Sequence, residues 1–337
     1  GLDDFSLRGA LGTGGTSQVL LVQRKGAAGF FAMKVIPKAA LEKSQIPYII
    51  SENRLLRTLS HPYLVRLHAA FQDPAHFYLV LQHYGGGDLA QHLLEHGELD
   101  EPSARIVLGG LVLALRYLHD EHNVIYRDLK PENVLLDHRD GLPVLADFGA
   151  AKDLAAHRPV GPDSRAFPQT HTHIGTPLYM APELWQVSKS GYGFGVDWWA
   201  AGVLLHEMLL GDVPWAEGGF CRQSTIPRDG NATEDWGSGD GAGPENGGGG
   251  GRPLLAAIDS LEADIAERAR ALTDGPFRLS ELPSDINPAA CALITGLLQT
   301  EPSTRLGCGP IGGAEVEAHA FFAPLDWDAL LRRQIQA

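Results

Sequence analysis

The sequence predicts an α+β fold in two parts. A smaller, mainly antiparallel β part with one main helix covers residues 4–83, and a larger, mainly helical part covers 84–327. Three observations predict this. Short apolar runs broken by glycine turns crowd the first part, as at Phe5-Ser6-Leu7-Arg8 and Phe30–Ile36. Longer runs with apolar residues at helical spacing dominate the second, as at Ser103–His119 and Asp197–Met208. Between them, Gln82-His83-Tyr84-Gly85-Gly86-Gly87 is polar and then glycine-rich, the composition of a hinge.

Composition sets outer bounds. The chain has 337 residues, with apolar residues at 44%, enough for a sizeable core. A formal net charge of −14 disfavours nucleic acid as a partner and suits basic peptides. No apolar run reaches the roughly 18 residues of a membrane span, and Gly1-Leu2-Asp3-Asp4 is no signal peptide. Cys221, Cys291 and Cys308 are widely spaced and odd in number, against both a zinc pattern and a disulfide framework. A cytoplasmic or nuclear setting is expected.

In the first part, Phe5-Ser6-Leu7-Arg8 alternates like a strand. Leu11-Gly12-Thr13-Gly14-Gly15-Thr16-Ser17-Gln18-Val19 then leads into Leu20-Leu21-Val22. Glycines between two strands suit a tight hairpin whose backbone approaches a ligand closely. Because a strand follows, a dinucleotide-binding Rossmann unit is excluded; that unit needs a helix there. Phe30–Ile36 reads as a third strand, with Lys34 a charge inside an apolar run, costly unless paired or exposed. Ser51–Leu59 has helical spacing, with Leu55, Leu56 and Leu59 on one face and Glu52 near its start. His61–Leu67 and Phe77–Leu81 read as two further strands.

In the second part, Leu89–Leu94 and Ser103–His119 read as helices, the latter opened by Pro102 and striped by Leu108, Leu111, Leu115 and Leu118. His119 reads as a structural, hydrogen-bonding histidine. Asp197–Met208 is a strongly apolar helix opened by an acid and expected at the centre. Residues 217–253 hold five consecutive glycines, Gly247–Gly251, and no periodicity, so they read as a disordered insertion, with Trp215 and Trp236 leaving a docking role open. Helical spacing returns over Leu254–Leu272 and Ala289–Leu298.

The chemistry concentrates in Val124–Asp137, V-I-Y-R-D-L-K-P-E-N-V-L-L-D, with Asp147-Phe148-Gly149 ten residues later. A short strand, a polar loop, another strand and an acidic turn follow one another. Asp128 can take a proton from a hydroxyl, and Lys130 can neutralise a transferring phosphoryl group. Asn133 and Asp147 offer hard oxygens suited to magnesium.

Together, in this order and spacing, these motifs resemble the catalytic and metal-binding loops of eukaryotic protein kinases. Tyr126, where most kinases have His, resembles the AGC group. Gly175-Thr176-Pro177-Leu178-Tyr179-Met180-Ala181-Pro182-Glu183 resembles the kinase substrate-docking loop, and Arg305-Leu306-Gly307 and Phe321-Phe322…Asp326-Trp327 resemble the AGC group again, the ribosomal-protein and cyclic-nucleotide-dependent kinase branches standing nearest. The resemblance implies a bilobal kinase fold, ATP and Mg2+. It makes Asp128, Lys130, Asn133, Asp147, Lys34 and Glu52 the catalytic set, with Asn133 and Asp147 on the metal. Leu11, Gly12, Gly14, Val19, Ala32, Lys34, Leu81, Gln82, Tyr84, Asp88 and Leu135 would hold the nucleotide. Two departures stand out: Ser17 replaces a third glycine and Thr16 an aromatic tip.

The same resemblance makes Thr172 an activating phosphorylation site, received by Arg127 and Lys152 and served by an upstream kinase. Asp197 would brace the catalytic loop, and Glu183 would pair with Arg305. Asp88 would reach the ribose or a substrate arginine. Asp88, Glu132 and Glu207 fall where basophilic kinases read arginines upstream of a target Ser or Thr, and Thr176 lies at the substrate hydroxyl. Residues 328–337 read as the start of a C-terminal tail. A nucleotide-binding pseudokinase or scaffold with little turnover is the alternative.

Overall fold

The computed structural model describes residues 1–13, 16–155, 170, 172, 174–185, 191–215, 282–283 and 286–335. Its first part is a five-stranded antiparallel sheet, ordered β1-β2-β3-β5-β4, with one main helix. The strands are β1 (Phe5–Thr13), β2 (Gln18–Arg24), β3 (Phe31–Pro37), β4 (Leu67–Gln72) and β5 (His76–Gln82). Successive side chains leave a strand on opposite faces. Val22, Met33, Tyr78 and Val80 therefore form a small core on one face, with Phe5, Phe31 and Phe71 against it. The partners Val19↔Lys34 and Ala32↔Leu81 leave on the other. Lys34 thus has a physical reason to sit in an apolar strand: it belongs to the face that meets the second part.

Helix α1 (Ile46–Thr58) starts earlier than the expected Ser51 and buries Glu52, Leu55 and Leu56. The strand expected over His61–Leu67 is a correction. It begins only at Leu67, and Leu64 makes no more than an isolated bridge to Leu145. Tyr63, Leu64 and Val65 are all buried in succession, without the alternation of a half-buried strand. They are apolar because this turn is wedged into the second part. A Cβ on Gly110 would lie 2.7 Å from Tyr63 Cε1 and 2.8 Å from Pro143 Cγ, so only glycine lets the turn rest there.

The second part opens with α2 (Leu89–His96), capped by Asp88, which accepts from Gln91 N–H at 2.8 Å. Helix α3 (Glu101–Arg116) is capped by Asp100 and runs on as a π-type turn, Tyr117–Glu121. Strands β6 (Val124–Ile125) and β7 (Val134–Leu136) pair with β9 (Lys152–Asp153) and β8 (Pro143–Leu145), and they flank the polar loop. Then come α4 (Pro182–Trp185), α5 (Gly195–Leu210), α6 (Pro288–Leu297), α7 (Ala314–Glu317) and α8 (Trp327–Leu331). Helix α5 is buried almost all round, as its composition predicts, with Trp198, Trp199, Val203, Leu204 and Leu205 in the core. One continuous apolar cluster links α3, α5 and α6 to Leu55, Leu56 and Leu79 of the first part. The insertion expected at 217–253 and the helix expected over Leu254–Leu272 lie outside the described residues.

Two distant ties lock this part. Arg305 is fully buried and donates to both oxygens of Glu183 at 2.6 and 2.9 Å while covering the Trp199 ring. After α8, Arg333 reaches Asp140 at 2.7 Å, Asp137 at 3.2 Å and the Pro62 carbonyl at 2.9 Å.

Arg305→Met should lower unfolding free energy by about 3–5 kcal/mol, because Glu183 is left without its cation; a urea titration reads this as a lower midpoint. A second expectation concerns pH. Burial beside the Tyr117 ring pushes His61 from its usual 6.5 down to about 4. Neutral imidazole is the species the fold accepts, so its contribution is complete above 6.5 and is lost as pH falls toward 4. The thermal midpoint of His61→Asn should fall less over that window than that of the parent chain.

Candidate active site

The polar loop after β6 is held by one carboxylate. Asp197, in the first turn of α5 and fully buried, accepts from Tyr126 N–H at 2.8 Å and from Arg127 N–H at 2.7 Å. His119 Nε2 lies 2.7 Å from the same side chain, and its ring stacks on Phe194. His119 is thus the structural histidine the sequence predicts. Two consecutive N–H groups can face one acceptor because Arg127 takes a left-handed φ of 71°. The Tyr126 hydroxyl donates to the Ala146 carbonyl, and its ring meets Phe148 edge-on.

Beyond this anchor, the functional groups converge. Asn133 Nδ2 donates to the Asp128 carbonyl at 2.7 Å and to Asp128 Oδ2 at 2.8 Å. The other carboxylate oxygen accepts from the Thr176 hydroxyl at 2.7 Å. Lys130 Nζ donates to that same hydroxyl at 2.7 Å and stands 3.4 Å from Asp128. An acceptor and a cation therefore share one hydroxyl.

Across the cleft, Lys34 Nζ lies 2.8 Å from Glu52 Oε1 and 3.0 Å from Asp147 Oδ1. Burial alone would lower the lysine's affinity for its proton, but the two carboxylates outweigh it and push that affinity up. Burial likewise opposes the charge on Asp147. Lys34 and the Gly149 N–H outweigh that too, and hold the carboxyl below its usual range. Glu52 is the most enclosed of the three, and burial pushes its carboxyl up.

A cleft of about 900 Å³ lies between the two parts. Leu11, Gly12, Val19, Ala32, Leu81, Gln82, Tyr84, Asp88 and Leu135 line it, as do Lys34, Glu52, Lys130, Glu132, Asn133 and Asp147. Gly14 lies outside the described residues. The glycine hinge crosses β7 closely: Gly86 N–H donates to the Leu136 carbonyl, and a Cβ there would stand 2.5 Å from that oxygen. Asn133 spends its amide N–H groups on Asp128, and Asp147 spends Oδ1 on Lys34 and Gly149. One oxygen of each remains for a hard cation. No three His, Cys, Asp or Glu side chains converge on a metal position among the described residues. That donor set fits magnesium, which keeps waters and substrate phosphates as its other ligands.

Glu207 is not brought to the cleft lining. It sits on α5 and accepts from the Tyr179 hydroxyl. Thr172 is half-buried, and its carbonyl accepts from the Tyr192 hydroxyl. The two cations expected to face it contact its neighbours. Lys152 Nζ donates to Thr170 Oγ1 at 2.8 Å, and Arg127 Nη1 donates to Tyr192 Oη at 3.1 Å. Thr170 Oγ1 is in turn 3.5 Å from Thr172 Oγ1. Sequence reasoning missed Thr170 and Tyr192. A threonine two residues from Thr172 was the one local signal; Tyr192 is twenty residues on in sequence and gave none.

The family described as protein kinase domain matches residues 5–322. Over 335 residues the chain is 32% identical to protein kinase 2 of Dictyostelium discoideum, covering 99% of this chain and 57% of that protein. It is 35% identical to atypical protein kinase C of Drosophila melanogaster, over 99% of this chain and 47% of the relative. It is 36% identical to ribosomal protein S6 kinase alpha-4 of Mus musculus, over 100% and 37%. The chain thus spans about half the length, or less, of these relatives.

Asp197→Ala would leave two buried N–H groups without an acceptor. A stability loss of at least about 3 kcal/mol is expected, with amide exchange at Tyr126 and Arg127 accelerated in hydrogen-exchange mass spectrometry.

Proposed function

This chain belongs to the protein kinase family, and on that premise we propose that it is an AGC-group serine/threonine kinase, passing the γ-phosphoryl of ATP to a protein hydroxyl. The observation that carries the proposal is the shared hydroxyl of Thr176, held by Asp128 at 2.7 Å and by Lys130 at 2.7 Å. A substrate hydroxyl presented there would be oriented by the Asp128 carboxylate, which would receive its proton as the new oxygen–phosphorus bond forms, the γ-phosphorus bond to the β–γ bridging oxygen breaks and ADP leaves. Lys130 steadies the charge on the moving group. Lys34, fixed by Glu52, aligns the phosphates of ATP. Asn133 and Asp147 would hold Mg2+, which would supply positive charge to neutralise the phosphates. Catalysis of this kind is mostly positioning and charge stabilisation. Against the scaffold alternative stands the joined Lys34–Glu52–Asp147 group, whose three members all meet in the cleft.

Substrates would carry arginine two or three residues before the target. Asp88 and Glu132 at the cleft, and Glu207 beside Tyr179, are carboxylates suited to a guanidinium. Phosphorylation of Thr172 by an upstream kinase would add nearly two negative charges within reach of Arg127 and Lys152, joined through Thr170 and Tyr192. No described helix is long and apolar enough to cross a membrane. A reducing setting, cytoplasm or nucleus, fits the cysteine usage.

The test is turnover of an arginine-rich serine peptide with ATP and magnesium. Asp128→Asn should lower kcat about 10²–10⁴-fold, Asp147→Asn should abolish turnover, and Thr172→Ala should reduce it. Nucleotide binding without turnover, even after treatment with an activating kinase, would favour the scaffold. A peptide array indifferent to upstream arginine would overturn the substrate assignment.

A further inference from the structure

Helix α2 borders the outer end of the cleft and carries a group that phosphoryl transfer does not use. His92 and His96 stand one helical turn apart, their rings stacked with centroids 4.6 Å apart and planes 23° from parallel. Both rings line the cleft, as do Gln91 and Glu95. His96 Nδ1 is 3.2 Å from the His92 carbonyl. A carbonyl only accepts, so that nitrogen carries the proton and Nε2 keeps its lone pair. Glu95 is steadied on the same side of the helix, where Gln91 Nε2 donates to its Oε1 at 2.8 Å.

The run His92-Leu93-Leu94-Glu95-His96 therefore presents two paired imidazoles, with the Glu95 carboxylate nearby on the same cleft. Imidazoles at i and i+4 on a helix can grip one ion, and this spacing serves zinc on other folds. Leu93 is buried and holds the helix in place, so the pair faces out on a rigid support. Histidine χ2 is a soft torsion, so the stacked rings can turn toward one ion at little cost.

We propose that His92 and His96 form a two-imidazole site for a borderline transition-metal dication, Zn2+ above all, with Glu95 as the neighbouring charge, and that the bound ion obstructs the approach of basic peptides. Imidazole nitrogen selects zinc, copper or nickel over magnesium. Waters complete the coordination, since no three such side chains already converge among the described residues. The obstruction follows from charge. Asp88 caps the helix one turn before His92, and Glu132 shares the cleft. A dication beside them repels the guanidinium these carboxylates would receive. This half rests on the proposed kinase function; the binding half does not.

Isothermal titration of the full chain with ZnCl2 tests the site directly. The His92→Ala/His96→Ala double variant should weaken zinc binding by more than about tenfold. Cys308→Ser should leave it unchanged, and excess MgCl2 should not compete. Circular dichroism establishes that the double variant is folded. Unchanged zinc affinity in that folded variant overturns the site. In peptide assays, zinc should raise KM for the arginine-rich peptide in the parent chain, with kcat kept, and leave the double variant unaffected. Lost binding with an unaffected parent KM overturns the obstruction. If the parent chain shows no turnover without zinc, the kinase function fails instead, and the titration still decides the site.

Discussion

The polar loop after β6 stands on a single buried charge. Asp197 is excluded from solvent, and its carboxylate is tolerated only because two backbone N–H groups and the His119 ring surround it. Hydrogen bonds to a charged acceptor contribute about 1.5–3 kcal/mol each, which offsets much of the desolvation cost. The geometric consequence matters more. Tyr126 and Arg127 are pinned, Arg127 is forced to a left-handed φ, and Asp128 follows in a defined direction. The anchor is only as rigid as α5, and α5 is rigid because Trp198 and Trp199 are enclosed and Arg305 spans Glu183, Gly195 and Trp199. A structural ion pair far from the cleft thus supports the position of the proposed base.

The second organising charge is Lys34. A lysine on a central strand would be a liability unless the rest of the fold supplied anions. Two are supplied by different elements: Glu52 from α1 and Asp147 from the turn after β8. This three-way contact sets the helix, the sheet and the second part in one arrangement, and it makes one side of the cleft polar. Val19, Ala32, Leu81 and Leu135 line the same cleft and give it a surface suited to a flat, apolar ring. Strand alternation turns Lys34, Val19, Ala32 and Leu81 toward the cleft and hides Met33 and Val80 on the sheet's other face.

Thr170 and Thr172 are both tied to the stretch that leads into α5. Tyr192 holds the Thr172 carbonyl and also meets Arg127, one residue from Asp128. Thr170 is 1% exposed and engages Lys152. A charge placed on Thr172 would act on groups already packed against the loop that carries Asp128.

Sequence alone determined the features that depend on short-range pattern. The paired strands flanking the glycine loop, the lysine inside an apolar run, the charged loop between two short strands and the acid opening an apolar helix each announced a local environment, and the structure supplies each one. Tertiary structure alone decided what buries what. Tyr63, Leu64 and Val65 look like strand residues because they are apolar, yet they serve as a wedge against Gly110 and Pro143. Arg333 gave no signal of its contacts with Asp137 and Asp140, which lie nearly two hundred residues earlier. Glu207 satisfies a charge pattern in sequence, and its position on α5, beside the Tyr179 hydroxyl, came only with the fold. Periodicity reports which side of an element leaves water. It carries no record of the partner, because partners far apart in sequence meet only when the chain folds.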